Sequence, residues 1–344
     1  MDVTNDNGIR IRPIHIIAPV LIGLGVVAWM FKDEFSNFDW SIIDFTPAAF
    51  IGLALSIVAI AGREFGYIWR YRHLTDGDLS WWQSFKVCML CEFTSAVTPT
   101  AVGGSSMAMI FMNREGINFG RGTALMIITL FLDELFFVVS CPLIVALTPF
   151  SSLFGTFNAD FSIGLKWVFW GVYALIAIWA LLLFIGIIAR PNGLKRLLMA
   201  IFSLPLLRRW KNKAEHMTDN MVAASEEARM KPFKWWGKAF AATAVSWISR
   251  YVMVSFLFLA FVPGSDEWLV FARQGVIWLL LLVCPTPGGS GVSEWLFSEY
   301  YADMMASAQV ALVVALVWRV LSYYVYLIVG LAVIPAWLKP RKRH

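Results

Sequence analysis

Six apolar runs along the chain are each long enough to cross a lipid bilayer as an α-helix. They cover residues 13–31, 46–69, 122–147, 163–188, 235–261 and 306–337. A spanning helix needs about 20 apolar residues, whereas a spanning β-strand needs only about 10 residues of alternating polarity. Hydrophobic residues make up 59% of the chain and charged residues only 15%. The sequence therefore predicts an all-α polytopic membrane protein with six full transmembrane helices.

Two further apolar segments, residues 81–112 and 271–301, are interrupted by residues that break helices. The first contains TPTAVGGSS and the second contains PTPGGSG, and the apolar arms beside each break are too short to cross the membrane. Irregular backbone at membrane depth is tolerated only inside protein or beside a water-filled cavity, because lipid offers no hydrogen-bond partners. We therefore predict two re-entrant broken-helix hairpins, each entering and leaving on one side of the membrane.

The two hairpins belong to an internal repeat. Aligning Gly103–Gly104–Ser105 with Gly288–Gly289–Ser290 places Asp133 and Glu134 opposite Trp318 and Arg319, and it places Arg63 and Glu64 close to Arg250. Each copy then consists of a span with a charge, a hairpin, and a second span with a charge. Repeat 1 covers residues 46–147 and repeat 2 covers residues 235–337. The span at 163–188 and a basic, amphipathic stretch at 190–234 link them within a single membrane domain, residues 1–344.

The loop charges predict opposite orientations for the two repeats. With the N-terminus in the cytoplasm, the inner loops are RYRHLTDGD, NREGINFGR, the stretch 190–234 and KPRKRH. These hold nearly all the loop Lys and Arg, with Lys32, Lys166 and Arg273 as exceptions. Because cytoplasmic loops are enriched in positive charge, we expect a multi-pass protein of the cytoplasmic membrane with both termini inside. The first hairpin then opens inward and the second opens outward, as inverted copies.

The polar residues at the two breaks form one part of the predicted binding site. Helix N-termini with glycine turns present free N–H groups, which favour anions such as phosphate. Neighbouring hydroxyl groups add hydrogen bonds. The predicted substrate-binding residues at the breaks are Thr98, Thr100, Gly103, Gly104, Ser105, Thr286, Gly288, Gly289 and Ser290.

Charged residues within the predicted spans and hairpins form the other part of the site. They are Asp133, Glu134, Arg250, Glu294 and Arg319, with Glu64, Glu92 and Arg114 as additional candidates. A charge that faces lipid costs a few kcal/mol, so we expect these to face a cavity or one another. The arginines are candidates for binding phosphate, because guanidinium pairs with it bidentately. The carboxylates are candidates for holding a cationic headgroup or for carrying a proton, and the alternative is a set of buried ion pairs that hold the two halves together.

No cofactor and no metal ion are expected. Cys88 and Cys91 form a C-x-x-C, but it lies on an apolar helix without a second pair, which is typical of buried thiols. The four histidines are scattered and lack the spacing of metal ligands. The first residues, MDVTNDNGIR, are acidic and polar and precede a full span, so we expect no cleavable signal peptide.

Several of these motifs resemble the lysylphosphatidylglycerol synthase transmembrane-region family, whose members are also called flippase-like domain proteins. Pro287, Gly288, Gly289, Gly291 and Glu294 resemble the second signature of that family. The order TPTAVGG, NREG and acidic pair resembles its first half, so the resemblance covers roughly residues 46–337. The chain departs from the family pattern at Gly104 and Met107, where members commonly have a Glu and then an Arg.

The resemblance implies a flippase that moves a phospholipid or a polyprenyl-phosphate lipid across the membrane. The expected partner is therefore a membrane lipid and not a nucleic acid, and homo-oligomerisation is left open. Synthase members carry a soluble transferase domain, whereas this chain ends at KPRKRH, so we do not expect an enzyme. The alternatives are a secondary transporter of a small soluble anion, a membrane-embedded lipid-modifying enzyme, and an adaptor that only resembles a transporter.

The inverted topology predicts opposite accessibility for two loops. A cysteine placed in the loop 113–116 is expected to react with an impermeant maleimide only from the cytoplasmic side. A cysteine placed at 298–303 is expected to react only from the outside. Labelling in intact cells and in inverted vesicles measures both, and labelling of the two positions from the same side would contradict the inversion.

Overall fold

Helices make up nearly all of the chain that the computed structural model describes, namely residues 46–97, 102–154, 159–203, 211–282, 284 and 292–338. In chain order they are α1 (Pro47–Leu74), α2 (Trp81–Val97), α3 (Val102–Arg114), α4 (Phe119–Leu147), α5 (Phe150–Leu153), α6 (Ala159–Phe184), α7 (Pro191–Phe202), α8 (Lys211–Met230), α9 (Phe233–Phe261), α10 (Glu267–Leu281), α11 (Val292–Tyr300), α12 (Ala308–Arg319) and α13 (Val325–Leu338). A π-helical turn, Val320–Tyr324, joins α12 to α13. These ranges contain no β-strand, and the predicted all-α membrane fold is confirmed.

Five helical stretches in the described ranges are long and apolar enough to cross a membrane. They are Pro47–Leu74, Phe119–Leu147, Gly164–Ala189, Phe233–Phe261 and Gln309–Gly330. These stretches correspond to five of the six predicted spans. The predicted first span, residues 13–31, lies outside the described residues.

The two predicted hairpins coincide with pairs of short helices. The 17-residue α2 and the 13-residue α3 pack against each other, and residues 98–101 between them lie outside the described part. The second pair consists of the 15-residue α10 and the 9-residue α11, which also contact each other. Each arm is shorter than the roughly 20 residues that a full crossing needs. The re-entrant path of both hairpins stays a prediction.

Helix α1 is longer than the sequence suggested, and this corrects one loop assignment. It begins at Pro47, where the Thr46 hydroxyl accepts a hydrogen bond from the Ala49 amide at 3.2 Å. It ends only at Leu74, where Asp76 and Gly77 take positive φ angles of 54° and 89° and turn the chain. RYRHL is therefore the last part of the helix and not a loop. Arg70 consequently points into the protein and is buried.

Helices α1 and α9 form a close antiparallel pair through small residues. Gly52 near the start of α1 lies against Ala260 near the end of α9, and Gly66 lies against Ala242. Between them, the Ser56 hydroxyl donates to the Met253 carbonyl at 3.2 Å. Small residues let two backbones approach closely, which favours helix association in a membrane. The predicted inversion requires this antiparallel course, because α1 and α9 are the corresponding helices of the two repeats.

The linker 190–234 folds into α7 and α8. Helix α8 buries Met221 and Ala228, and it contacts the start of α4 at Gly120. Helix α7 leaves Leu197 and Ile201 exposed, which suits a basic helix that lies on a membrane surface.

Arg273 was an exception to the charge rule, and the structure gives it a structural role. Its guanidinium is buried and binds both carboxylate oxygens of Asp303, at 2.5 and 2.7 Å. It also donates to the carbonyls of Ser152 and Tyr300, at 2.7 and 3.0 Å. One side chain thus joins α5, α10 and the end of α11. These bonds neutralise the Arg273 charge within the protein. The residue is therefore compatible with its predicted position on the outer side.

Replacing Gly66 with Ala is expected to destabilise the α1–α9 pair. A β-carbon at this position would lie 2.7 Å from the Ala242 carbonyl oxygen, so the helices would have to separate. Overpacking of this kind typically lowers the free energy of unfolding by about 1–3 kcal/mol. Thermal unfolding in detergent, followed by size-exclusion chromatography, measures the effect. Gly237→Ala on α9 is the matched control, since its β-carbon would meet no atom within 4 Å. Equal melting temperatures for the two variants would contradict the close packing.

Candidate intramembrane binding site

A cavity of about 180 Å³ lies among α1, α2, α4, α9, α10 and the α12–α13 helix. Asp133, one of its lining residues, is the central residue of the 29-residue spanning helix α4. The cavity is therefore level with the middle of a helix that is long and apolar enough to cross a membrane, and residues of both predicted repeats line it. Its charged lining residues are Arg63, Arg70, Glu92, Asp133, Glu134, Arg250 and Arg319.

Arg63 on α1 binds two carboxylates. Its guanidinium pairs with Glu64 at 2.7 Å and with Glu92 of α2. The ring of Tyr326 covers the guanidinium at 4.6 Å, and its hydroxyl donates to Glu64 at 2.7 Å. The Cys88 thiol donates to the second Glu64 oxygen at 3.3 Å. Glu64 and Glu92 are thus each bound to a cation, although only Glu92 lines the cavity.

Arg70 forms a second buried pair, with Asp133. The bond is bidentate, with nitrogen–oxygen distances of 2.6 and 3.1 Å. Two residues of α9 complete it, since the Arg70 guanidinium donates to the Thr243 hydroxyl at 3.1 Å and the Trp247 indole donates to Asp133 at 2.9 Å. Charge and hydrogen bonds are both satisfied here. The Asp133 carboxylate is therefore occupied by protein groups.

Arg319 and Glu294 form a third buried pair. Their side chains approach to 2.6 Å, and both residues are almost completely buried. The Tyr323 ring lies 4.4 Å from the guanidinium. Arg319 reaches the cavity wall, whereas Glu294 lies behind it. One of the two arginines predicted to bind phosphate is therefore already paired with a carboxylate.

Arg250 on α9 differs from the other three arginines of the lining. Its guanidinium lies over the rings of Trp247 and Trp278, at 4.6 and 4.3 Å. It makes no ion pair and no hydrogen bond with any residue that the structure describes. Two other donors in the lining also lack partners within these residues, namely the Trp278 indole nitrogen and the Ser322 hydroxyl. The lining therefore offers a positive charge and free donors to the cavity.

Among the carboxylates of the lining, Glu134 resembles Arg250 in having no ion-pair partner within the described residues. It is 9% exposed, and no cation of the described residues lies at ion-pair distance from it. Its buried Oε2 atom accepts no hydrogen bond from them. Glu92 and Asp133, in contrast, are bound by Arg63 and Arg70.

The structure brings some of the predicted site residues together and separates others. Glu92, Asp133, Glu134, Arg250 and Arg319 line one cavity, while Glu64 and Glu294 pair with residues of its wall. Arg114 lies apart from it, at the end of α3, where its guanidinium stacks at 4.3 Å on the Trp337 ring. Gly104 packs against Ser95 and the Cys91 backbone, so it allows α2 and α3 to approach closely.

The remaining predicted residues belong to the two breaks. Gly103 and Ser105 belong to α3, but their surroundings lie outside the described part, as do Thr98, Thr100, Thr286, Gly288, Gly289 and Ser290. Their predicted role in binding stays a prediction.

The sequence reasoning missed Arg70 because it placed this residue in a loop. A signal was present, since Arg63, Tyr67 and Arg70 are spaced four and then three residues apart and share one helix face. The Tyr67 ring does lie beside both guanidinium groups, at 5.4 Å from Arg63 and 4.8 Å from Arg70.

Comparison with known proteins identifies the family. The model of the family described as "Lysylphosphatidylglycerol synthase TM region" matches residues 16–330. The chain belongs to this family. An archaeal relative, a "UPF0104 membrane protein" of Archaeoglobus fulgidus, is 22% identical over 330 residues, which are 90% of this chain and 93% of the relative. No solved structure matches the chain. The family consists of membrane domains and is named after proteins that synthesise a lipid. The charged cavity described above lies within such a domain.

Replacing Asp133 with Asn is expected to destabilise this family member strongly. The change leaves Arg70 as an uncompensated cation in a buried site, for which the loss is typically about 3–5 kcal/mol. Thermal unfolding in detergent measures the loss, and the double variant Arg70→Met with Asp133→Leu is expected to recover much of it.

The control is the pair of Arg121 and Asp78, whose side chains are 27% and 55% exposed. Removing it with Arg121→Gln and Asp78→Asn is expected to change the melting temperature little, because exposed ion pairs contribute little. Equal losses for the buried and the exposed pair would contradict the structural role of Asp133.

Proposed function

We propose that this protein is a lipid transporter that moves a phosphate-bearing headgroup across the cytoplasmic membrane through the central cavity. The lipid is a phospholipid or a polyprenyl-phosphate lipid, and its tails stay in the bilayer while the headgroup passes. In this proposal the lipid crosses chemically unchanged, so the protein is not an enzyme. The proposal keeps both predictions made from the sequence, namely that both termini are cytoplasmic and that the headgroup passes between the two re-entrant hairpins.

The proposal rests on one observation, namely that Arg250 lines the cavity without a carboxylate partner among the described residues. A guanidinium at mid-membrane depth normally finds a carboxylate, because an isolated charge is costly there. Arg250 instead has its charge stabilised by two indole rings, at 4.6 and 4.3 Å, and has no carboxylate partner within the described residues. Its N–H groups therefore remain available, and phosphate is the anion that guanidinium binds bidentately.

The surroundings of Arg250 support a ligand with several acceptor oxygens. The indole nitrogen of Trp278 and the hydroxyl of Ser322 are buried donors in the same lining without partners among the described residues. Buried donors are usually hydrogen-bonded, so an unpaired one points to a water or a ligand. A phosphate group offers acceptors to all three side chains.

The choice of a lipid over a soluble anion rests on the family. The family is named after lysylphosphatidylglycerol synthases, whose product is a modified phospholipid. The cavity also lies among helices whose outer faces are apolar, such as α1, where Ile51, Ile57 and Val58 are exposed. Because these apolar faces contact lipid, a lipid reaches the protein from within the bilayer, whereas a soluble anion has to arrive from water.

Replacing Arg250 with Gln is expected to slow lipid movement by about tenfold or more, because a charge-assisted hydrogen bond contributes about 1.5–3 kcal/mol. The measurement uses proteoliposomes with a fluorescent phosphatidylglycerol, whose outer-leaflet fraction is bleached by an impermeant reductant. Arg250→Lys keeps the charge and is expected to retain part of the rate. Arg229→Gln, an exposed arginine outside the cavity, is the matched control and is expected to keep the full rate.

Two outcomes oppose the proposal. An unchanged rate of lipid movement in Arg250→Gln would show that Arg250 does not bind the phosphate during transport. Uptake of glycerol phosphate into the vesicles, in the absence of lipid movement, would favour the transporter of a small soluble anion instead.

A further inference from the structure

We propose that Glu134 takes up a proton when an anionic headgroup binds at Arg250, so that lipid and proton cross the membrane together. This inference rests on the lipid-transport function proposed above and names the coupling ion for it.

The cavity contains one cation and one carboxylate that lack ion-pair partners among the described residues. The cation is Arg250 of the second repeat, and the carboxylate is Glu134 of the first repeat. The other charges of the lining are matched, since Arg63 binds Glu92, Arg70 binds Asp133, and Arg319 binds Glu294. Arg250 and Glu134 are therefore the two charges that line this cavity without an ion-pair partner among the described residues.

A bound phosphate brings a negative charge into the cavity that Glu134 also lines. This charge occupies Arg250, and an ionised Glu134, which is only 9% exposed, then shares one buried cavity with a second negative charge and has no counter-charge among the described residues. An uncompensated buried carboxylate is unstable, and it becomes neutral by taking a proton. The cavity thus holds one negative charge at a time, either on Glu134 or on the headgroup.

No other group of the lining is placed to take this proton. Glu92 and Asp133 are bound by the guanidinium groups of Arg63 and Arg70, and Glu64 is bound by Arg63. The remaining titratable groups are Tyr67, Tyr71, Tyr323, Tyr326, Cys88, Cys91 and Cys284. Tyrosine and cysteine side chains are neutral in such surroundings at pH 7, so they have no proton to gain.

Linkage fixes the sign of the coupling. If binding of the anion favours proton uptake, then the proton favours binding of the anion by the same factor. Affinity for an anionic lipid is therefore higher at low pH, and the lipid and the proton move in the same direction. A difference of one pH unit across the membrane then supports a leaflet ratio of up to about tenfold, because one unit is a tenfold difference in proton activity.

Isothermal titration calorimetry in buffers of different ionisation enthalpy counts the proton directly. The probe is a short-chain phosphatidylglycerol added to the purified full-length protein in detergent. The wild type is expected to take up protons as the lipid binds at pH 8, at most one for each lipid bound. Glu134→Gln, which mimics the neutral acid, is expected to take up none, and its affinity is expected to be independent of pH.

Two variants control the experiment. Glu134→Asp keeps an acid at the site and is expected to restore proton uptake. Glu299→Gln removes an exposed carboxylate outside the cavity and is expected to behave as the wild type does. A protein that binds the probe is folded, so binding itself reports on the integrity of each variant.

The outcomes separate this inference from the function on which it rests. Binding and lipid movement without proton uptake in the wild type would overturn the coupling and leave the transport function standing. The same proton uptake in Glu134→Gln would place the proton elsewhere and would also overturn it. A wild type that neither binds nor moves the lipid would remove the proposed function, and the proton site with it.

Discussion

Charged side chains at the middle of a bilayer have to be neutralised by other protein groups, because lipid solvates neither an ion nor a free hydrogen-bonding group. This constraint determines which helix faces meet in this protein. Arg63 turns α1 toward α2, and Arg70 turns the same helix toward α4, since their carboxylate partners are Glu92 and Asp133. Arg319 likewise fixes α12 against α11 through Glu294. The close approach of α1 and α9 follows from small residues and completes the enclosure of the cavity.

The ion pairs described above have a distribution that sequence reasoning did not foresee. One alternative held that buried ion pairs join the two halves. Arg63 with Glu92 and Arg70 with Asp133 lie within the first repeat, while Arg319 with Glu294 lies within the second. The contacts between the repeats are of a different kind. They include the hydrogen bond of Tyr326 with Glu64 at 2.7 Å and that of Trp247 with Asp133 at 2.9 Å.

The sequence was sufficient to place most of the described apolar helices, because their positions depend on length and polarity. Five spans and the arms of both hairpins lie where the apolar runs and the glycine-rich breaks place them. The end of α1 was misplaced because RYRHL is polar, and hydropathy alone does not distinguish a surface loop from a helix face turned inward. The site was predictable only as a set of charges. Which carboxylate meets which guanidinium depends on the rotation of each helix, and a single sequence does not carry that rotation.

Ion pairs lie within each predicted repeat, whereas hydrogen bonds join the two repeats. This difference affects how easily one repeat moves against the other. A transporter with inverted repeats works by moving one repeat against the other around a central site. If ion pairs crossed the interface, each cycle would expose unpaired charges inside the membrane, at a cost of several kcal/mol for each. Hydrogen bonds between transmembrane helices contribute only about 0.6 kcal/mol on average, so they exchange partners readily. The two charges left unmatched, Glu134 and Arg250, come from different repeats and face the cavity between them. The distance between these two charges, unlike that between the paired ones, therefore depends on the relative position of the two predicted repeats.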